Sequence, residues 1–544
     1  MNGRKDGMAS NAGMSRRGFL TGTAVVAAGA ALGMAGCAAP QGKAEGGTAG
    51  ASWDKEVDVL VVGSGTGAFA AIAAKDAGAE SVMIVEKGDK WGGTSAISGT
   101  ALWLPAIKEG LEQGSNDTVE DAVAYMTNIS EGRGDAATIE KYAQSASEFA
   151  QWAAGLMGWT WSVGGMFRDY YEPIEGSRVF GRTASINEGS MWALLQAKCD
   201  EMGIETSLGS PVTSLVREAD GTVSGVVADI SGKETRIKAN TCVVLATGGF
   251  DHNKEMVLDN QAFPLFVTCA APTNTGDGHL MAQAIGAATA NMDTNWGVPS
   301  FYNEIPEYDG TLKYDFANDW GFYRASAGAI VVNKDGRRFG NESRAYAVFN
   351  KAFGRYDTDR LEYENIPAFW ICDSDYLQAV MLMGQTKPGD PLPEYVVQAD
   401  TLEELAGKLG IDPQGLADEV AAFNANAANG TDPVFHRGET EGEVIMSTAI
   451  AADRGLANPC LAPIATPPFC GAVYVPGTCG TNGGLKINEY AQVLDTKGET
   501  IPGLLAVGNC AASFTGGQYA GAGMTLGAGS VMGYVGVRHA LGVE

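Results

Sequence analysis

A chain of 544 residues, 45% hydrophobic and 19% charged, has the length and apolar content for a large buried core shared between two domains, which excludes a disordered or fibrous protein. Its formal charge of −27, from 37 Lys and Arg against 64 Asp and Glu, comes with no basic stripe and excludes nucleic acid as a partner, because neutralising phosphates needs clustered cations. The acidity reads as a solubilising surface, with steering of a cationic partner as the second reading.

The chain starts with an address. Ser15-Arg16-Arg17-Gly18-Phe19-Leu20 is followed by an Ala/Gly/Val run to Gly36 and by small residues before Cys37, giving a charged start, a weakly apolar middle and a processing point. Residues 1–37 resemble a twin-arginine export signal, which implies export to the cell envelope, in the periplasm or an equivalent extracytoplasmic space. The apolar run is short and Ala/Gly-rich against the ~20 residues that a membrane span needs. Met34-Ala35-Gly36-Cys37 also looks like a lipoprotein processing box, with Met34 where Leu is usual. A lipid anchor at Cys37 is therefore the one membrane contact the sequence leaves open. The twin-arginine route carries folded proteins, which suits a chain that takes up a cofactor before export. Residues 38–52 read as a low-complexity linker. The nine cysteines show no C-x-x-C and no zinc or haem spacing, so metal is not expected and disulfide pairing stays open.

Val57-Asp58-Val59-Leu60-Val61-Val62 is the kind of run expected of a strand covered on both faces in a parallel sheet. It enters Gly63-Ser64-Gly65-Thr66-Gly67-Ala68, then a helix predicted over 70–77, Gly78, and a second strand over 81–85 that ends at Glu86. The order suits a dinucleotide: glycines admit a pyrophosphate to the backbone, the helix N-terminus supplies amide donors, and an acid on the second strand holds ribose hydroxyls. The candidates are Gly63, Ser64, Gly65, Gly67, Ala68 and Glu86. The total of 74 glycines, without a period, fits a chain wrapped around such a ligand.

Lys87 leads into a second small-residue loop, in which Gly93, Thr94, Ser95, Ser98 and Gly99 offer amides and hydroxyls to a longer cofactor than NAD. Further on come Asp169-Tyr170-Tyr171-Glu172-Pro173, then a strand 210–216 containing Val212, then Leu245-Ala246-Thr247-Gly248-Gly249-Phe250 and Thr275-Gly276-Asp277-Gly278. The stretch from Gly328 to Phe339 reads as a hairpin and is followed by Asn341-Glu342-Ser343-Arg344-Ala345-Tyr346. Near the end, a strand through Leu504-Leu505-Ala506-Val507 meets Gly508-Asn509, and Tyr519-Ala520-Gly521-Ala522-Gly523-Met524-Thr525-Leu526-Gly527 opens a helix-like tail.

Together these segments resemble the FAD-binding portion of the fumarate reductase and succinate dehydrogenase flavoprotein superfamily, in its order and over nearly all of the chain after the linker. The resemblance implies an α/β protein: a Rossmann-type FAD-binding domain split in sequence (53–291 and 469–544), with an α+β substrate cap domain inserted (292–468). It adds Lys87, Val212, Gly248, Asp277, Gly508, Asn509 and Leu526 to the cofactor contacts. Some members tether FAD through a histidine beside the Gly-Gly-Thr loop; none occurs here, so FAD is expected to be non-covalent. The four histidines, His252, His279, His436 and His539, read as structural.

Where fumarate reductases carry the arginine that protonates substrate, this chain has Tyr346. A phenol cannot clamp a carboxylate, and it works as acid or base according to how its pKa of about 10 is tuned. The tyrosine, the Gly-Gly-Thr-Ser-Ala-x-Ser-Gly loop and the Tyr519 to Gly527 segment resemble 3-ketosteroid dehydrogenases. That resemblance implies Tyr346 as the group exchanging a proton next to a ketone, Tyr519 and the Gly523 N–H as donors to the ketone oxygen, and Tyr170 as support for Tyr346. Arg344-Ala345 departs from the small-residue and proline pair usual before the tyrosine. The expected substrate is a small hydrophobic ketone or enone, reacting in either direction, with a separate electron donor or acceptor, a quinone or a redox protein. Two alternatives stand: a reductase of another α,β-unsaturated compound, an acrylate or phenolic, and a non-catalytic flavin electron-transfer subunit.

Overall fold

The computed structural model describes residues 52–164, 168–305, 307–314, 323–380, 389–451 and 453–543. Residues 1–37, with the expected export signal and Cys37, lie outside the described residues. The β-branched run after Glu56 forms the strand Lys55–Val62, buried from Val59 onward, in the middle of an eight-stranded sheet. Val82–Val85 pairs parallel with it on one side and Lys233–Leu245 on the other. Glu205–Ser207 extends the first side and Thr500–Ala506 the second, again parallel. The chain thus winds outward from the centre and then crosses to the opposite side. Such a reversal opens a crevice at the carboxyl ends of the two central strands, where doubly wound sheets bind ligands. This is the expected α/β, Rossmann-type sheet, completed by a strand from near the C-terminus.

The helix behind the phosphate loop spans Gly67–Asp76 and starts earlier than predicted, because the Ala68 N–H already donates to Gly65 O at 3.0 Å. Its alanines pack against the C-terminal helix Met524–Ala540. Small residues are required at this contact: a Cβ on Gly529 would lie 2.6 Å from Thr66 Oγ1 and 2.9 Å from Gly508 Cα. Without it, the C-terminal helix holds both the phosphate loop and the Gly508 turn in place.

The cap is built on a second, antiparallel sheet of Ser300–Tyr302, Phe469–Val475, Ala368–Cys372 and Ala329–Val332, with Val397–Ala399 added beside Phe469–Val475. Alternation along its strands separates two cores. Ile330, Val332, Phe369 and Ile371 share one core with Leu405, Leu416 and Phe423, whereas Val331, Trp370 and Tyr474 belong to the other with Phe349 and Phe353. The hairpin expected from Gly328 to Phe339 closes through Asn333 N–H to Arg337 O at 2.9 Å, but its return is a single bridge, Val332 to Arg338. Arg338 is drawn away to Glu342 at 2.6 Å and Asp432 at 2.8 Å.

Candidate active site

A cavity of about 450 Å³ opens at the crevice between the two central strands. Gly63 sits where they end: its φ of +104° and the 2.2 Å that would separate a Cβ from Ala246 O admit no other residue without strain. Gly63, Gly65 and Glu86 border the cavity from the first strand and its neighbour, and Lys87, Gly93, Thr94, Ser95, Ser98 and Gly99 from the second loop. Val212, Gly248 and Asp277 form another wall, with Gly508, Asn509 and Leu526 beside them. The remaining candidates lie beneath the surface. Ser64 donates from N–H and Oγ to Glu86 Oε2, at 2.9 and 2.7 Å, and accepts from Gly92 N–H at 2.8 Å. Gly67 admits Val61 and Ala246 against the helix start, and Ala68 is buried in its first turn. These three shape the loop and leave the surface to its other members.

At the opposite end, Tyr170, Tyr346, Tyr519 and Gly523 border the same cavity. The Tyr170 and Tyr346 hydroxyls share a hydrogen bond of 2.6 Å. Tyr519 completes the cluster, with ring centroids 5.1 Å from Tyr170 and 5.8 Å from Tyr346, and its phenol faces the hydroxyls of Tyr346 and Thr525. Burial is the main cause that pushes all three phenols above their ordinary value, and their proximity adds to it at Tyr346 and Tyr519. Gly523, at a φ of +89°, caps the helix Met524–Ala540, and its N–H has no acceptor among the described residues.

Three segments distant in sequence are tied together to form this cluster. Tyr170 N–H donates to Ala520 O at 2.9 Å, and the Tyr125 hydroxyl donates to the same carbonyl at 2.6 Å. On the cap side, Arg168 donates to Gly442 O at 2.7 Å and Ser343 O at 2.9 Å, while Arg344 donates to Glu172 O at 2.7 Å. Arg344, the departure noted in the sequence, thereby links the segment of Tyr346 to that of Tyr170. Behind Tyr170, Asp169 accepts from Arg182 at 2.6 Å and Trp103 Nε1 at 2.8 Å, and burial pushes its carboxyl up to about 6. No histidine borders the cavity; His279, with Nε2 3.1 Å from Gly483 O, is lowered by burial to about 4.

The model of a family described as "FAD binding domain" matches residues 58–526. The chain belongs to this FAD-binding family. It is 32% identical over 539 residues to the 4-oxocyclohexanecarboxylate 2-dehydrogenase of Sinomonas cyclohexanicum, covering 88% of this chain and 92% of that protein. To the 3-oxosteroid 1-dehydrogenase of Mycobacterium tuberculosis (strain ATCC 25618 / H37Rv) it is 31% identical, covering 89% and 98%. Among solved structures, the 3-ketosteroid delta1-dehydrogenase of Sterolibacterium denitrificans, in complex with 1,4-androstadiene-3,17-dione, superposes with a TM-score of 0.80 at 28% identity, covering 90% of this chain and 100% of that one. This member of the FAD-binding family is an FAD-dependent oxidoreductase acting on CH–CH groups.

The residues present fit FAD. Thr247 borders the cavity, while its Oγ1 is buried beside Cys510 and Gly278 and so anchors the strand end that faces the cofactor. A Cβ on Gly93 or Gly99 would meet nothing within 4 Å, so the second loop presents bare backbone to open space. Thr94 fixes that loop by accepting from Ala271 N–H at 2.8 Å and Asn274 Nδ2 at 3.2 Å. Asn509 is held by Trp296 Nε1 at 2.8 Å, and Trp296 also packs on Tyr519 with centroids 4.7 Å apart. Sequence reasoning missed Trp296, Thr247, Cys269 and Cys479, the last three of which border the cavity. Thr247 had a signal, as the residue between the strand end and Gly248. The others carry no motif.

Proposed function

We propose that the enzyme exchanges a hydride and a proton across a carbon–carbon bond next to a ketone in a small hydrophobic ring compound, as a 3-ketosteroid dehydrogenase does or in the reverse sense as an enone reductase. The observation that carries the proposal is the Tyr170, Tyr346 and Tyr519 cluster with the Gly523 N–H on one cavity wall. FAD, when bound, supplies the two-electron hydride chemistry. Tyr519 and the Gly523 N–H hold the ketone oxygen, where enolate charge develops when the α-carbon is deprotonated or before it is reprotonated; preorganised donors at that point contribute on the order of 3 kcal/mol each. Tyr346 moves the α-proton, and Tyr170 donates to its oxygen when that oxygen is charged. Burial favours the neutral phenols, which is the form that donates to the ketone oxygen and that carries the proton in the reductive direction.

Among the described residues bordering the cavity, Lys87 is the only cation, and it is paired with Asp277 at 2.8 Å. This argues against a dicarboxylate such as fumarate, which would need an arginine or lysine at the reacting end. FAD is held without a covalent bond in this proposal; release of all flavin on acid precipitation checks it. The proposal extends to an exported protein served by a separate quinone or redox protein, and to an FAD-binding domain split around a cap whose sheet takes in Phe469–Val475, beyond the limit of 468 drawn from the sequence. Fractionation of the producing cell tests export.

The deciding experiment reduces the FAD-loaded enzyme anaerobically and follows flavin reoxidation on adding 3-keto-1-ene and 3-keto-4-ene steroids, a cyclohexenone, fumarate and cinnamates. Rapid reoxidation by enones, abolished in Tyr346→Phe with flavin still bound, is the expected result. Reoxidation by carboxylates alone would assign the enzyme to acrylate or phenolic reduction. No reoxidation by any compound would favour an electron-transfer subunit.

A further inference from the structure

The strands Val267–Thr268 and Gly477–Thr481 run parallel with Thr268 opposite Thr478, and the Cys269 N–H continues the ladder to Thr478 O at 3.1 Å. The next pair in this register is Cys269 with Cys479, and their thiols lie within hydrogen-bonding reach of each other. Both are free thiols, and both border the cavity beside the tyrosine cluster. Neighbouring strands lie about 4.8 Å apart, inside the roughly 4.4–6.8 Å between Cα atoms that a disulfide spans. We propose that Cys269 and Cys479 form a redox-active dithiol in the cavity wall, a modification site for disulfide-bearing reagents that closes to an internal disulfide by thiol–disulfide exchange.

The two sulfurs have different parts. Cys479 Sγ–H donates to Trp296 O at 3.3 Å, and the neighbouring Cys269 and burial both push its thiol upward. Cys269 has no such bond to a carbonyl among the described residues, and it is assigned as the attacking sulfur. As thiolate it displaces one half of the incoming disulfide, forming a mixed disulfide and releasing one thiolate. That thiolate takes the proton of Cys479, whose sulfur then attacks Cys269 and releases the second half. Two cysteine thiols are oxidised, and one disulfide is reduced to two thiols. Closure removes the Sγ–H bond to Trp296, whose ring packs on Tyr519 and whose Nε1 holds Asn509, so the wall that faces the ketone registers the change.

The chain contains its own control. Cys372 and Cys470 also face each other in register, but they are buried in the cap sheet and do not border the cavity. An exchange that depends on access through the cavity reaches the first pair and leaves the second.

The test equilibrates the FAD-loaded enzyme anaerobically with mixtures of reduced and oxidised glutathione, quenches in acid, alkylates the free thiols under denaturing conditions and maps the peptides by mass spectrometry. Retained flavin absorbance verifies the native state. The expected result is loss of two alkylatable thiols with a peptide cross-link between Cys269 and Cys479, while Cys372 and Cys470 stay alkylated. In Cys479→Ser the reaction is expected to stop with one glutathione on Cys269. Full alkylation of Cys269 and Cys479 in the most oxidising mixture would overturn the proposal. So would a cross-link confined to Cys372 and Cys470, or a Cys479→Ser protein that takes no glutathione at Cys269.

Discussion

At Tyr346, burial and the adjacent Tyr170 and Tyr519 phenols all act in one direction, raising the affinity of its oxygen for a proton. The consequence for rate has a definite sign. A proton donor must be protonated, and a group whose pKa stands above the ordinary tyrosine value of about 10 remains so through neutral and mildly alkaline solution. The kcat for enone reduction is expected to be flat from neutrality to beyond pH 10 and to fall only above it. In the opposite direction, where the anion is the working form, kcat climbs over the same range. An alkaline fall in the reduction profile near pH 7 or 8 would assign the proton to another group. Tyr170 enters through the 2.6 Å bond, which becomes charge-assisted once Tyr346 has given up its proton. Its removal in Tyr170→Phe forfeits about 1.5–3 kcal/mol, roughly a tenfold to hundredfold loss in kcat. KM and bound flavin are expected to change little, because Tyr519 and Gly523 still hold the ketone.

Between elements, the cluster depends on an ionic latch that joins the segment at Tyr170 to the cap. Arg168 is buried, reaches two carbonyls of the cap and lies 3.5 Å from Glu172, while Arg344 pairs with Glu443 at 3.1 Å. A Cβ on Gly442 would fall 1.8 Å from Arg168 Cδ, so the first turn of the helix Glu441–Ile450 is shaped around this side chain. Removing the cation takes the guanidinium donors from Gly442 O and Ser343 O and leaves Glu172 without its ion pair. Arg168→Ala is therefore expected to lower unfolding stability by roughly 3–5 kcal/mol, read from the midpoint of chemical denaturation. Arg168→Lys is expected to recover only part of that loss, because one ammonium does not reproduce a fork aimed at Gly442 O and Ser343 O. Equal stability of the Ala variant and the parent would show that the latch contributes nothing.

Over the whole molecule, what the sequence discloses follows the range of the interactions. The strand Lys55–Val62, the glycine loop and Glu86 were legible because strand, turn and helix start are contiguous and their side-chain pattern is local. Tyr346 and Tyr519 were legible only through the company of their family motifs, since a buried tyrosine carries no periodic signal of its own. The Arg168 latch and the Cys269 and Cys479 pair were not legible, because each joins segments far apart in sequence, the first between the Tyr170 segment and the cap and the second across two paired strands. Net charge belongs to the same scale and is read directly: −27 sets up a field that no single pair accounts for. The separate electron carrier of the proposal meets the enzyme by diffusion, and that field biases the meeting. Reduction of the bound flavin by a cationic viologen radical is expected to slow about tenfold as ionic strength rises from about 0.01 M to 0.15 M, over which the screening length falls from about 30 to about 8 Å. The anionic reductant derived from dithionite is expected to speed up over the same range. Stopped-flow traces with the two reductants separate this from a general effect of salt on the protein, because a general effect moves both rates the same way.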